Sequence, residues 1–191
     1  MRLPKFVNIS EKEKGYLLGL FLGDGYANYN KKDRHYTISF YLNSLKDIDI
    51  QEQLLNIINK LNLISKVSKD KRGNVNKIRI YSKILFLYLN EQEIKLYSKI
   101  KPVKKEFLIG MISGFIDAEG CVYRGTISIA QKNKRIMYLI EEICSFFKIK
   151  YRMKRVPNSP RGFIWRGYFS TSFKYLPHNS RKVMREYGCS S

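Results

Sequence analysis

Two stretches of the chain, Glu13 to Gly23 and Glu106 to Ala118, are apolar on nearly every side. A run of that length without a polar stripe predicts a helix buried all round. Both stretches also carry a small residue at every fourth position: Gly15, Gly19 and Gly23 in the first, Gly110, Gly114 and Ala118 in the second. Glycine inside a helix costs about 1 kcal/mol relative to alanine, so its recurrence needs a reason. Four-residue spacing lines these positions along one face, a flat strip on which another backbone can come close. The obvious partner for one strip is the other. Gly15, Gly19, Gly110 and Gly114 are therefore the expected interface between two helices.

The two stretches head a repeat. Gly15 to Tyr26 and Gly110 to Cys121 superpose without gaps at an offset of 95, with a carboxylate at 24 and 119 and glycine at 25 and 120. Thr37-Ile38-Ser39 pairs with Thr126-Ile127-Ser128 at a slightly shorter offset, so the second copy has a shorter loop. Amphipathic stretches near 48–62 and 133–148 have apolar residues at helical spacing. A basic, turn-rich segment and a further alternating run follow each, Lys77 to Lys83 and Gly167 to Lys174. Period two puts Lys77, Arg79 and Tyr81 on one strand face and Ile78 and Ile80 on the other; Thr126 and Ser128 likewise oppose Ile127 and Ile129. The chain thus predicts an α/β (α+β) protein of two pseudo-symmetric αββαββα units, residues 1–100 and 101–191. Their junction falls in the segment 98–105, around Pro102.

The charge balance points to a partner. Among 191 residues, 36 Lys and Arg stand against 16 Asp and Glu, a net charge of +20. From Gly120 onward there are 15 basic and 3 acidic residues, a net +12. Such a field repels itself and calls for a polyanion; nucleic acid is the expected partner, ahead of an acidic membrane surface. A hydrophobic content of 44% argues against global disorder. Apolar runs are short and broken by charge, so no membrane span is expected, and the first residues lack the apolar core of a secretory signal. Cys121, Cys144 and Cys189 have no paired spacing and read as reduced thiols of an intracellular protein. Only His35 and His178 are present, which disfavours a zinc site or a histidine general base. Abundant Lys, Ile and Asn point to an AT-rich genome, in an archaeal cytoplasm or an organelle (mitochondrion or chloroplast).

The candidate chemistry lies where the apolar stretches end. Each finishes in a carboxylate and a glycine, Asp24-Gly25 and Glu119-Gly120. Glycine just past a helix predicts a left-handed cap, whereas a carboxylate there meets the unfavourable negative end of the helix dipole. Packing the helices together brings Asp24 and Glu119 near each other, and a bound cation relieves the repulsion. Carboxylates with free carbonyls of the last turn suit Mg²⁺, or another divalent cation such as Mn²⁺. In a basic chain that combination points to phosphodiester hydrolysis, the metal polarising the scissile phosphate and activating water. Two related sites on a pseudo-dyad match the two strands of duplex DNA.

The segments LLGLFLGDG (Leu17 to Gly25) and ISGFIDAEG (Ile112 to Gly120) resemble two LAGLIDADG motifs. Their separation resembles that of the monomeric, two-motif homing endonucleases, across nearly the whole chain. The first copy departs from the pattern with Leu22 where the second has Asp117. The resemblance implies motif helices packed at a pseudo-dyad and two saddle-like antiparallel sheets in the major groove. It also implies metal-dependent cleavage of both strands of a long asymmetric double-stranded DNA target by an intron-encoded monomer. Asp24 and Glu119 would be the metal ligands, helped by the carbonyls of Gly23 and Ala118. The family's basic residue late in each repeat would be Lys101 and Lys182, and Gln131-Lys132 resembles its polar pair at an early strand end. The first copy has Leu42-Asn43 at that place. Lys66, Lys69, Lys71 and Arg72 lie in or beside the turn of one unit, Arg152, Lys154, Arg155 and Arg161 in the other; many of these would contact phosphate. Base readout is expected of Arg79, Arg124, Arg152 and Arg166, from sheet faces that also carry Lys77, Tyr81, Thr126 and Ser128. The competing reading is a non-cleaving binder, either a maturase acting on intron RNA or a LAGLIDADG-type regulator. Regulators tend to lose the acids, and this chain has both.

Overall fold

The computed structural model describes residues 4–71, 73–98, 103–158, 162–170 and 180–186. The first unit runs α1 (Glu11–Asp24), β1 (Gly25–Asn30), β2 (His35–Asn43), α2 (Ile48–Lys60), β3 (Ser65–Lys69), β4 (Val75–Tyr81) and α3 (Lys83–Ser98). The second runs α4 (Lys105–Glu119), β5 (Gly120–Tyr123), β6 (Thr126–Gln131), α5 (Lys134–Phe146), β7 (Tyr151–Pro157), β8 (Phe163–Ser170) and α6 (Arg181–Glu186). This is the expected αββαββα order, twice. Each unit forms a four-stranded sheet, β1-β2-β4-β3 and β5-β6-β8-β7, with neighbouring strands antiparallel. The expected boundary between residues 100 and 101 lies outside the described residues.

Sequence accounts for the main elements. Ser10 starts α1 with a capping box: its hydroxyl accepts from the Glu13 N–H at 3.2 Å, and the Glu13 carboxylate accepts from the Ser10 N–H at 2.8 Å. α1 is buried from Gly15 to Leu22 and α4 from Phe107 to Asp117, so the two helices form the central layer. Their small residues meet backbone to backbone. A β-carbon on Gly15 would lie 1.9 Å from the Phe107 carbonyl oxygen, and one on Gly19 would lie 2.0 Å from that of Met111. Gly110 and Gly114 reciprocate against the Lys12 and Tyr16 carbonyls, at 1.9 and 2.2 Å. No side chain fits there, which is why the strips are glycine.

Each sheet covers this pair with one apolar face. Ile38, Phe40, Ile78 and Ile80 are buried in the first sheet, Ile127, Ile129 and Phe169 in the second. The amphipathic helices complete the core through Ile50, Leu54, Ile57 and Ile58 of α2 and Ile136, Met137, Ile140 and Ile143 of α5. Among the described residues, no helix is long and apolar enough to cross a membrane.

One local expectation is overturned. Gly25 and Gly120 are not left-handed caps: their φ values are −88° and −81°, ordinary extended backbone, and each begins a strand. Glycine is required for space instead. A β-carbon on Gly25 would sit 2.3 Å from the Phe21 carbonyl oxygen, and one on Gly120 would sit 2.5 Å from that of Ile116. The chain turns directly from helix into strand at these points, without an intervening loop.

Candidate functional site

The C-terminal ends of α1 and α4 touch. A β-carbon on Gly23 would fall 2.3 Å from Cβ of Ala118 and 3.0 Å from Cγ of Glu119. Asp24 and Glu119, the last residues of the two helices, are therefore carried to adjoining positions just where the sheets begin. In the second unit, the Gln131 amide donates to Glu119 Oε1 at 3.1 Å. Burial raises the Glu119 carboxyl above the usual glutamate range, although Lys182 and the Gln131 hydrogen bond pull the other way. The Lys182 ammonium donates to the carbonyls of Ala118 and Gly120 at 3.1 and 3.0 Å. A cation at this helix end is electrostatically favourable. The expected carbonyl ligand on Ala118 thus already accepts from a lysine.

The backbone N–H of Lys182 donates to a residue whose part the sequence did not reveal. Asp117 is fully buried, and its carboxylate accepts four hydrogen bonds. Oδ1 receives the Ser180 hydroxyl at 2.7 Å and the Lys182 N–H at 3.0 Å; Oδ2 receives the Tyr16 hydroxyl at 2.8 Å and the Arg181 N–H at 3.0 Å. Burial still leaves its carboxyl above the ordinary aspartate range. Through these bonds one carboxylate joins α1, α4 and the start of α6. The spacing of Asp117 from residues 180–182 is too long for any sequence pattern to disclose.

The first unit is built differently at each equivalent place. Leu22 replaces Asp117. Leu42, in the register position of Gln131, is 1% exposed and belongs to the core. Asn43 is turned to its own loop, its side-chain oxygen accepting from the N–H groups of Leu45 and Lys46 at 2.9 Å each. Ser82 and Ser180 both precede the closing helix and both accept from the N–H three residues on, which aligns Ile84 with Lys182. Lys101, named for this half from the sequence, lies outside the described residues, as do Arg72 and Arg161.

The outward sheet faces carry most of the remaining candidates. In the first sheet, Lys66 lies opposite Arg79, and Lys77 opposite Tyr41. Tyr26, Tyr41, Lys69, Lys71, Lys77 and Arg79 help to line an open hollow of about 690 Å³. Tyr26 and Tyr41 were missed, although alternation along β1 and β2 places both on the polar face. Tyr81 is exposed farther along β4. In the second sheet, Arg152 and Lys154 lie opposite Tyr168 and Arg166, with the Lys154 ammonium 5.3 Å from the Tyr168 ring centre. Cys121 lies opposite Ser128, and Thr126 is exposed at the strand start. Arg124 occupies the β5–β6 turn at φ 47° and covers the Tyr123 ring at 5.0 Å. Lys132 is exposed just beyond β6. Arg155 departs from its neighbours: alternation puts it on the helix side with Met153, where its guanidinium covers the Phe163 ring at 3.9 Å.

This arrangement of two glycine-packed helices, each ending in an acid at the root of a sheet, defines a doubled LAGLIDADG-type fold. The model of the LAGLIDADG-like domain matches residues 11–93 and 106–170, and the chain belongs to that family. An uncharacterized protein of Methanocaldococcus jannaschii is 26% identical over 143 residues, 73% of this chain; the chain spans about half the length of that relative. The fold is similar to the homing endonuclease I-DmoI in complex with DNA and calcium, with a TM-score of 0.70 at 20% identity over 93% of this chain and 98% of that one. It is also similar to full-length DUF199/WhiA from Thermotoga maritima, with a TM-score of 0.64 at 17% identity over 96% of this chain and 60% of that one.

Proposed function

We propose that this chain is a site-specific endonuclease that hydrolyses both strands of a long, asymmetric double-stranded DNA target as a monomer. The observation that carries this reading is the contact of Gly23 with Ala118 and Glu119, which brings one carboxylate from each repeat to a shared helix junction beneath two basic sheet faces. The basic, tyrosine-bearing outer faces suit duplex DNA: lysines neutralise phosphates, and arginines such as Arg79 and Arg166 reach base edges. I-DmoI, the similar structure, has been solved with its target DNA and with calcium, manganese or magnesium.

The donor set fits a hard divalent cation. Asp24 and Glu119 supply carboxylate oxygens, and the helix ends supply the carbonyls of Gly23 and Ala118, the latter shared with the Lys182 ammonium. Magnesium or manganese there would polarise the scissile phosphate and stabilise developing charge. Gln131 orients Glu119 through its amide. Lys182 carries positive charge at the end of α4, close to where a phosphate would approach. Half-burial of Glu119 limits competing solvation by bulk water.

A second reading, a duplex-binding protein that does not cleave, is favoured by the plainness of the first half, where Leu42 and Ile84 stand in place of Gln131 and Lys182. One experiment separates the two. Targets are selected by binding from a randomised duplex library, then incubated with protein and Mg²⁺. Wild type should cut both strands, while Asp24→Asn and Glu119→Gln should each abolish double-strand cleavage and keep most of the binding. Binding by wild type without cleavage selects the second reading; full cleavage by either variant would remove the acids from the mechanism.

A further inference from the structure

Of all the buried polar groups described, Asp117 is the one whose hydrogen bonds cross the most of the fold. It sits inside the core at the end of a helix, where a leucine serves in the other repeat. We propose that Asp117 is a positioning residue: by capping α6 it holds the Lys182 ammonium as a tethered cation at the Glu119 half of the junction, and at that half alone. The proposal rests on the nuclease reading for its meaning, but its physical content concerns this chain's own residues.

The geometry supports each link. Asp117 accepts from two successive backbone N–H groups, those of Arg181 and Lys182, and from the hydroxyl of Ser180 just before them. A carboxylate accepting backbone N–H groups at a helix start makes strong, charge-assisted bonds. They fix the backbone of Lys182 itself, so its side chain springs from an anchored point. From there the ammonium reaches two carbonyls, of Ala118 and Gly120, on either side of Glu119. The Tyr16 hydroxyl completes the carboxylate from the opposite motif helix. A leucine at this position would leave those donors unsatisfied in the core, a loss no exposed contact could offset.

The contrast between repeats gives the proposal its specificity. Ser82 caps α3 as Ser180 caps α6, so the first turn of the closing helix is retained in both. Yet the first repeat has Leu22 and Ile84 where the second has Asp117 and Lys182. Among the described residues, the first repeat has neither the acid nor the lysine at these two aligned positions. The two half-sites should then respond differently to changes at residue 117.

Ca²⁺ titration without DNA and strand-resolved nicking with Mg²⁺ test this together, on Asp117→Asn, Lys182→Met and the double variant. If Lys182 is a tethered cation, Lys182→Met should tighten Ca²⁺ binding several-fold, since the Ala118 carbonyl is freed. Asp117→Asn should tighten it by the same factor, and the double variant should add nothing, because both act through one ammonium. Nicking should slow in one strand, with the other strand nearly unchanged. Ser180→Ala removes one bond of the network without burying a new polar group, and should give a smaller shift in the same direction should Asp117→Asn fold poorly. Additive effects of Asp117→Asn and Lys182→Met on Ca²⁺ affinity, or equal slowing of both strands, would overturn the proposal. The Ca²⁺ arm stands even for a wild type that binds DNA without cutting it, an outcome that removes only the nuclease reading.

Discussion

Glu119 is a carboxylate held where its charge is disfavoured, and this has a measurable consequence. Its folded pKa is raised by burial, so folding favours the protonated form. The associated stability is fully present below the ordinary glutamate pKa and is lost as pH rises through the raised value. At neutral pH the ionised side chain therefore costs stability in the metal-free protein. Glu119→Gln should raise the melting temperature at neutral pH, and the gain should vanish when both proteins are melted in acid. An equal gain at both pH values would assign the effect to something other than the charge. Gly120, next in the chain, is constrained by space alone. Because its φ is ordinary, alanine meets no backbone strain there, but its β-carbon would lie 2.5 Å from the Ile116 carbonyl oxygen and 2.8 Å from Ile116 Cγ2. Gly120→Ala should destabilise by about 1–3 kcal/mol through overpacking, measured by urea denaturation; neutrality would mean that the helix-to-strand turn yields easily.

At the scale of elements, the α1–α4 pair is the joint on which both the core and the candidate site depend. Gly19 abuts the Met111 carbonyl and Gly114 that of Tyr16, so any side chain at either position separates the helices. Gly19→Leu or Gly114→Leu should cost about 1–3 kcal/mol or more and displace Asp24 from Glu119, lowering melting temperature and cleavage together. A leucine variant that melts like wild type would contradict the packing directly. This pair was also the most legible part of the sequence. Small residues four apart, twice, in two all-apolar runs have few explanations other than mutual contact. Gly25 and Gly120 stand where a left-handed cap would, but their φ is set by the strand that follows at once.

Across the whole molecule the two repeats share a topology and differ in chemistry. Both motifs lie on one chain, so a single copy should occupy a long duplex whose halves need not be symmetric. Titration of a selected target followed by sedimentation should give one protein per duplex; two copies on a palindrome would mean that the functional unit is a dimer. With many lysines and arginines on the sheet faces, affinity should fall roughly tenfold or more between 50 and 200 mM salt. A flat salt response would argue that few of these residues touch phosphate.

Local pattern alone determined the repeat, the helix and strand order, the buried helix pair and the outward face of β4, because periodicity and glycine spacing are properties of neighbouring residues. Tertiary structure decided what distance in sequence conceals. It set the Lys182 ammonium against the Ala118 carbonyl. It brought Tyr16, Asp117 and Ser180 together across 101 and 63 residues of chain. A buried carboxylate finds its donors wherever the packed core presents them, and no reading along the chain contains that information.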